Sequence, residues 1–298
     1  MRILVTGVKG QLGYNLMQEI ERRGHTPIGV DVEEMDITDR ACVARVLARE
    51  MPDAVIHCAA WTAVDAAEDE ENREKVRLVN VEGTRNVAEE AAAVGAKVLY
   101  ISTDYVFDGE GTRPWEPDDE RRPLNVYGQS KCDGEIATEA ATPRHFIVRT
   151  SWVFGANGKN FVKTMLELGK THRELTVVCD QIGSPTYTYD LSRLLVDLLE
   201  TDKFGRYHAT NEGVCSWHEF ASEIIRLAAA NNPVYEGVTV TPVTSDTYPA
   251  KAKRPHNSRM SKEKLVREGF TPLPSWQDAL LRYLEELQRQ ANKTPEVI

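Results

Sequence analysis

The amino terminus carries the feature that most restricts the fold: three glycines, spaced three residues apart, directly after an apolar stretch. Residues 2–6 form that stretch, and Gly7, Gly10 and Gly13 follow it. Between a strand and a helix, Gly7 allows a tight turn, Gly10 lets backbone N–H groups approach a pyrophosphate, and Gly13 lets the helix pack close to the strand. The pattern therefore predicts a dinucleotide-binding unit of strand, loop and helix.

Short apolar runs alternate with longer helical patterns through the first half of the chain. The runs predict strands at residues 2–6, 27–30, 54–57, 97–101 and 145–148, and the helical patterns predict helices at residues 12–23, 40–50, 72–94 and 126–140. Strands that are apolar along their whole length are typical of a parallel sheet buried on both faces. Right-handed crossovers then predict a doubly wound α/β sheet of the Rossmann type.

The pattern is less regular after residue 150. Helices are predicted near residues 161–168, 190–200, 216–230 and 276–290, with a strand near residues 175–178. We predict a dinucleotide-binding domain over residues 1–150 and a smaller, mixed substrate-binding lobe over residues 151–298. In folds of this kind the chain often returns to the first domain, and we expect returns between residues 175 and 210, at the strand near Leu175 and at residues 205–209.

Charge and composition disfavour several function classes. Lysine and arginine total 36 against 46 for aspartate and glutamate, and the resulting net charge of −10 disfavours nucleic acid as a partner. No apolar run approaches the roughly 18 residues of a membrane span, so no membrane partner is expected. The five cysteines form no CxxC pair, which favours a reducing cytoplasm. The seven histidines form no HxH or HExxH pair, and no metal is predicted.

The end of the second predicted strand bears on the choice of nicotinamide cofactor. Asp31 stands where a carboxylate accepts hydrogen bonds from the adenosine ribose hydroxyls and repels a 2′-phosphate, which favours NADH. Lys9 lies in the glycine loop, where a cation can approach a 2′-phosphate. Both NADH and NADPH therefore stay open as cofactors.

A tyrosine and a lysine one helical turn apart form the second chemical signal. Tyr127 and Lys131 lie at the start of the helix predicted over residues 126–140, where positions i and i+4 share one face. A nearby ammonium is expected to lower the pKa of the phenol from its ordinary value near 10. Thr103 follows Ser102 at the end of the fourth strand, on the edge of the sheet that faces the ligand crevice. Together these groups predict a proton donor beside a bound cofactor.

Several longer stretches resemble a known family. They are residues 58–65, 102–107, 125–128, 149–152, 180–186 and 254–258. With the glycine loop, they resemble the extended short-chain dehydrogenase/reductases over nearly the whole chain. The resemblance implies an NAD(P)H-dependent oxidoreductase that transfers hydride to the C4 ketone of a deoxythymidine-diphosphate 6-deoxyhexulose. The implied product is dTDP-L-rhamnose, for cell-surface polysaccharide biosynthesis.

The resemblance also implies roles for individual residues. The implied catalytic set is Thr103, Tyr127 and Lys131. The implied cofactor contacts, together with the glycine loop, are Gly7, Gly10, Gln11, Leu12, Gly13, Asp31, Asp36, Ile37, Ala60, Trp61, Thr62, Tyr127 and Lys131. The implied contacts with the nucleotide sugar are Thr62, Val64, Thr103, Asp104, Tyr105 and Trp152.

The pyrophosphate of a nucleotide sugar needs cationic donors in a chain that is acidic overall. Arg254 is predicted to contact the substrate from a proline-flanked loop that holds the densest basic cluster, Lys251, Lys253, Arg254, His256 and Arg259. Lys159 and Asn160 form a second candidate.

Other functions stay open beside this reductase. Sugar-nucleotide 4,6-dehydratases read Thr-Asp-Glu where this chain reads Thr103, Asp104 and Tyr105, and tyrosine cannot replace the acid–base pairing that eliminates water. An epimerase or a reductase of another nucleotide sugar is the first alternative. A non-catalytic nucleotide-sensing regulatory subunit is the second. Homodimer formation is also left open.

Overall fold

The computed structural model describes residues 1–247 and 250–293. The strands there are β1 (Arg2–Thr6), β2 (Thr26–Val30), β3 (Ala54–His57), β4 (Lys97–Thr103), β5 (His145–Thr150), β6 (Val153–Phe154), β7 (Glu174–Val178), β8 (Ile182–Gly183), β9 (Thr186–Tyr187), β10 (Gly205–His208), β11 (Cys215–Ser216) and β12 (Thr239–Val243). The helices are α1 (Gln11–Arg22), α2 (Arg40–Glu50), α3 (Glu70–Arg77), α4 (Thr84–Ala93), α5 (Val126–Ala141), α6 (Phe161–Thr171), α7 (Thr188–Leu199), α8 (Trp217–Ala229), α9 (Glu263–Arg267) and α10 (Trp276–Lys293).

Within the described residues, the central sheet holds six parallel strands in the order β10-β5-β4-β3-β1-β2. The predicted Rossmann α/β fold is confirmed. Thr6 lies beside both Val30 and His57, so the carboxyl ends of β1, β2 and β3 are level. The strand order reverses at β1, and ligands of open α/β sheets bind outside the strand ends at such a point.

The two faces of β1 belong to different hydrophobic cores. Ile3 packs with Leu16 of α1 and Leu195 of α7 on one face. Leu4 packs on the other face, in a core that includes Val43 of α2. Burying an apolar side chain of this size contributes about 1.5–3 kcal/mol, and a strand that is apolar on both faces gains this on both. The sheet centre therefore fixes the position of the glycine loop that follows β1.

The second lobe has a core of its own between α6, α8 and α10, which includes Val162, Phe220 and Tyr283. In this lobe β7 pairs with β12 in a separate two-stranded sheet. The prediction that the strand near Leu175 returns to the first domain is therefore wrong. Buried and exposed side chains alternate along β7, as in a strand with one face on a core, whereas the central strands are buried on both faces.

The chain does return to the first domain further on. Helix α7 packs against α1, and β10 pairs with β5 at the edge of the central sheet, with Gly205 opposite Phe146. The predicted return at residues 205–209 thus corresponds to β10. A division of the chain at residue 150 stays a prediction.

The helix predicted over residues 72–94 is interrupted by a π-helical segment, Leu78–Gly83. Asn80 in this segment is fully buried. Its side chain accepts a hydrogen bond from the backbone N–H of Trp61 at 2.8 Å and donates one to the Ser130 hydroxyl at 2.9 Å. The segment therefore links the loop after β3 to α5, a tertiary contact that helical periodicity does not reveal.

Candidate active site

A cavity of about 830 Å³ opens at the carboxyl edge of the central sheet and is lined by both the first domain and the second lobe. This volume lies in the usual range of small-molecule sites. The predicted site residues that line it are Gly7, Gly10, Gln11, Leu12, Gly13, Asp31, Asp36, Ile37, Ala60, Thr62, Val64, Thr103, Asp104, Tyr105, Tyr127, Lys131 and Trp152. Trp61 and Arg254 are not among its lining residues.

The glycine loop is held close to the sheet on one side and to α1 on the other. Gly7 has a φ of +67°, and a Cβ there would lie 3.0 Å from the backbone of Ala59. A Cβ on Gly13 would lie 2.3 Å from the carbonyl oxygen of Gly7. Glycine is therefore required at both positions, and the loop backbone stays open to a ligand at the start of α1.

The end of β2 forms an acidic rim. The Asp31 carboxylate accepts hydrogen bonds from the backbone N–H groups of Lys9 at 3.1 Å and Val32 at 2.9 Å. The Lys9 ammonium pairs with Glu33 at 2.6 Å, and a hydrogen bond to that carboxylate raises the pKa of Lys9. The cation of the glycine loop thus already has an anionic partner. Both NADH and NADPH stay open as cofactors.

Thr103, Tyr127 and Lys131 lie together on one wall of the cavity. Thr103 is the last residue of β4, and the other two lie in the first two turns of α5. The helix begins after Asn125, whose side chain accepts a hydrogen bond from the N–H of Gly128 at 2.7 Å. This N-cap fixes the start of α5 and so the direction in which both side chains leave it.

Hydrogen-bonding and ring contacts orient the cluster. The Tyr127 phenol is hydrogen-bonded to the Thr103 hydroxyl, and its ring meets that of Tyr105 edge to face with 5.5 Å between centroids. Lys131 is buried, and its Nζ lies 4.1 Å from the ring centroid of Tyr100. In the part of the chain that the structure describes, this ammonium makes no hydrogen bond. It is therefore available to a ligand in the cavity.

Burial dominates the proton affinities of the cluster. Burial raises the pKa of Tyr127 above its ordinary value, the Asp104 charge raises it further, and the hydrogen bond with Thr103 opposes both. Burial also lowers the pKa of Lys131 to about 7, against the attraction of the Glu135 carboxylate. The prediction that the pKa of the phenol is lowered is wrong for this structure, because burial of Tyr127 and the Asp104 charge outweigh the contribution that lowers it.

Asp104 is buried with hydroxyl groups around it, only 2% exposed. Its carboxylate accepts hydrogen bonds from Ser258 at 2.5 Å and from Thr103 at 2.9 Å. Burial nevertheless raises its pKa to about 6. Because Ser258 belongs to the second lobe, Asp104 links that lobe to Thr103 at the cavity wall.

A buried ion-pair network supports this wall from behind. Glu135, which is fully buried, accepts two hydrogen bonds from Arg149, both at 2.8 Å. Arg121 pairs with it at 2.8 Å, and the Ser102 hydroxyl donates to it at 2.5 Å. Removing one partner of a buried pair costs about 3–5 kcal/mol because the other charge is left uncompensated. The network therefore holds β4, β5 and α5 together beneath the cavity.

Two tryptophans form the opposite, second-lobe wall. The rings of Trp152 and Trp217 stack with 3.7 Å between centroids, and both line the cavity. Trp152 has a φ of +50°, and a Cβ on Gly183 would lie 2.9 Å from its ring. Neither indole N–H has a hydrogen-bond partner in the described residues, so both can serve a ligand. Sequence reasoning missed Trp217, because no local pattern distinguishes it from an ordinary first-turn residue of α8.

The basic loop lies beside the cavity. Arg254 donates to both oxygens of Asp65, at 3.1 and 2.6 Å, and has the Tyr105 hydroxyl as a further partner. Ligand contacts of Arg254 and Trp61 therefore stay predictions. Lys159, from the second basic candidate, does line the cavity.

The residues present fit a nicotinamide dinucleotide. The glycine loop lines the cavity, the buried Lys131 ammonium has no hydrogen-bond partner in the described part of the chain, and Asp31 directly follows β2. Across residues 1–247 and 250–293, no group of three or more His, Cys, Asp or Glu side chains is placed to hold a metal ion. In the same residues no helix is both long and apolar enough to cross a bilayer.

The sheet order, the glycine loop at its switch point and the clustered threonine, tyrosine and lysine define an extended short-chain dehydrogenase/reductase, as predicted. The model of the family described as RmlD substrate binding domain matches residues 1–289. The chain belongs to this family.

Similar proteins extend the comparison over nearly the full chain. The spore coat polysaccharide biosynthesis protein SpsK of Bacillus subtilis is 40% identical over 285 residues, which cover 96% of this chain and 97% of SpsK. A solved dTDP-4-dehydrorhamnose reductase from Clostridium acetobutylicum is 41% identical with a TM-score of 0.92, covering 97% of this chain and 100% of that one. One from Bacillus anthracis, in complex with NADP, is 42% identical with a TM-score of 0.90, covering 96% and 99%.

Proposed function

We propose that this chain is an NAD(P)H-dependent reductase that converts dTDP-4-dehydro-L-rhamnose to dTDP-L-rhamnose. The observation that carries the proposal is the placement of Thr103, Tyr127 and Lys131 on one wall of a cavity that begins at the glycine loop. The names of the two solved relatives support the substrate, and the bound NADP of one supports the cofactor class. The name of SpsK supports a role in making cell-surface polysaccharide.

The first domain would hold the cofactor along the carboxyl edge of the sheet. Backbone N–H groups at the start of α1 would bind the pyrophosphate, whereas the N–H of Gly10 is donated to the carbonyl oxygen of Gly7 at 3.0 Å. Asp31 would accept hydrogen bonds from the adenosine ribose, and the Lys131 ammonium would donate to the nicotinamide ribose. A reduced nicotinamide bound in this way supplies the hydride that adds to C4 of the ketone.

Tyr127 would give its phenolic proton to the ketone oxygen as negative charge develops there. The raised pKa of Tyr127 keeps the phenol protonated at neutral pH, as a proton donor must be. The Thr103 hydroxyl can donate to the same oxygen. In its protonated form Lys131 would stabilise the phenolate that Tyr127 becomes. Because the buried network of Glu135 holds their strands and helix in place, these groups need little rearrangement when charge appears.

The nucleotide sugar would lie between this wall and the tryptophan pair. The groups proposed to contact it are Thr62, Val64, Thr103, Asp104, Tyr105, Trp152 and, at the margin, Arg254. We further propose a cytoplasmic location, because all five cysteines are free thiols. A homodimer stays a prediction, which sedimentation of the purified protein tests.

Net oxidation of the reduced cofactor tests the proposal. With NADH or NADPH and dTDP-4-dehydro-L-rhamnose, the protein should consume cofactor in proportion to ketone and form dTDP-L-rhamnose. The Tyr127→Phe variant should bind cofactor as the natural protein does and lose at least about 100-fold in turnover, the usual contribution of a positioned proton donor. Near-normal turnover of this variant would remove Tyr127 from the mechanism.

The same assay separates the alternatives. Reduction of a uridine-diphosphate ketosugar but not of the deoxythymidine one would assign a different substrate. Interconversion of sugars without net consumption of cofactor would identify an epimerase. Tight cofactor binding with no reaction of any ketosugar would identify a regulatory subunit.

A further inference from the structure

Three of the lysines in the described residues line the cavity, and they differ in their surroundings. Lys9 is paired with Glu33 at 2.6 Å. Lys131 is buried against the ring of Tyr100. Lys159 is exposed, and its ammonium has neither a hydrogen bond nor an ion pair within residues 1–247 and 250–293. Lys159 is thus a cation at the cavity whose charge the described protein groups leave uncompensated.

The loop that carries Lys159 is held by other side chains. The Asn160 side-chain amide donates at 2.9 Å both to the carbonyl oxygen of Gly155 and to the Tyr283 hydroxyl. The Lys163 ammonium donates to two carbonyl oxygens of the same loop, at 2.5 and 2.9 Å. The backbone around Lys159 is therefore fixed without any contribution from its own side chain.

The same loop contacts the glycine loop. The side-chain amide of Asn157 donates to the carbonyl oxygen of Lys9 at 2.6 Å, and that of Asn160 donates to the Gln11 side chain at 3.0 Å. Gln11 is the first residue of α1, where backbone N–H groups are free to bind a phosphate. Lys159 therefore lies in a loop that contacts the glycine loop directly, and it lines the same cavity.

The basic loop of residues 251–259 offers no equivalent group to the pyrophosphate, because none of its cationic residues lines the cavity. Arg254 is paired with Asp65 at 2.6 Å, and Lys251 is paired with Asp69 at 2.5 Å. Neither residue lines the cavity. In a chain of net charge −10, a doubly charged ligand depends on local cations.

We propose that Lys159 binds the pyrophosphate of the nicotinamide dinucleotide, opposite the backbone of the glycine loop. The inference rests on the proposed function, since it needs a dinucleotide in the cavity. Lysine is a suitable partner because its ammonium acts as a compact point charge toward phosphate. The diphosphate of a nucleotide sugar has the same chemistry, but the contacts of this loop with Lys9 and Gln11 favour the dinucleotide.

The test is the Lys159→Met variant of the full chain, which removes the charge and keeps most of the side-chain length. Fluorescence titration should show NADH binding weakened about tenfold, which corresponds to about 1.4 kcal/mol. The affinity should also depend less on ionic strength than that of the natural protein. Binding of dTDP, the probe for the nucleotide-sugar site, should be unchanged. Lys159→Arg should retain most of the NADH affinity.

Lys170→Met is the matched control. Lys170 lies on α6 in an exposed ion pair with Glu167, away from the residues that line the cavity, so its loss should leave both affinities unchanged. If Lys159→Met weakens dTDP but not NADH, the cofactor assignment is overturned in favour of the sugar nucleotide. Unchanged affinity for both ligands overturns any ligand role of Lys159. Binding is measured without turnover. A protein that does not reduce the ketone can therefore still show whether Lys159 contacts the cofactor, so failure of the proposed function and failure of this contact are distinguished.

Discussion

Replacing Asp104 by asparagine should stabilise the protein at neutral pH although it changes a residue of the active site. Burial raises the pKa of Asp104 from 3.8 to about 6, and the side chain is 2% exposed. A difference of this size corresponds to about 3 kcal/mol in favour of the neutral form in the folded state. The folded protein then binds more protons than the unfolded chain between these pKa values. Stability contributed by this group is therefore present below about pH 4 and lost as the pH rises through about 6.

Asparagine can keep the local hydrogen bonds, because the hydroxyls of Ser258 and Thr103 can each donate or accept. We expect the Asp104→Asn variant to have a free energy of unfolding about 1–3 kcal/mol higher than the natural protein at about pH 7.5, and a flatter pH dependence between about pH 4 and 6. Urea denaturation over this pH range measures both. Turnover of the ketosugar should fall, because the group beside Thr103 no longer carries charge.

The Asp65→Asn variant provides a control, because the stability that Asp65 contributes has the opposite pH dependence. A hydrogen bond from Arg254 lowers the pKa of Asp65, so its stabilisation is present at neutral pH and lost as the pH falls. Its replacement should cost less than about 1 kcal/mol, because the pair is partly exposed to solvent. If the Asp104→Asn variant is less stable than the natural protein at neutral pH, the hydrogen bonds from Ser258 and Thr103 stabilise the carboxylate more than burial destabilises it. That result would refute the predicted gain in stability.

Two further substitutions test the framework of the site. Gly13→Ala should abolish NADH binding in a fluorescence titration, because its Cβ would lie 2.3 Å from the Gly7 carbonyl oxygen; unchanged affinity would contradict the described loop geometry. Glu135→Gln should lower the free energy of unfolding by about 3 kcal/mol, since Arg149 would lose its buried counter-charge. The partly exposed Glu139→Gln serves as control with a loss below about 1 kcal/mol, and equal losses would show that burial does not set the cost.

Sequence patterns predicted several elements of the first half of the chain with the bounds that the structure shows. The bounds of β1, β3 and α2 are those predicted, because the two strands are largely apolar and the apolar residues of α2 recur at helical spacing. The strand near Leu175 was assigned to the wrong sheet. Its alternating pattern specifies one buried face but not the partner strand, and pairing with β12 depends on a segment more than 60 residues later in the chain. The π-helical segment around Asn80 likewise follows from contacts with distant residues.

In the site, too, some features were predicted from the sequence and others were not. The spacing of Tyr127 and Lys131 predicted their shared helix face, and both line the cavity. The direction of the phenol pKa was wrong, because the sequence does not show how deeply the lysine and the tyrosine are buried. Trp217 was missed because it reaches the cavity through the packing of α8 against Trp152. Residues whose role depends on tertiary burial are therefore the ones that sequence alone does not identify.

Isotope transfer from the cofactor tests the central claim most directly. The protein is given reduced cofactor deuterated at the transferable position, together with dTDP-4-dehydro-L-rhamnose in ordinary water. Nuclear magnetic resonance of the product should show the deuterium at C4 of the sugar and nowhere else. A product with hydrogen at C4, or a sugar that changes configuration without consuming cofactor, would contradict ketone reduction in this cavity.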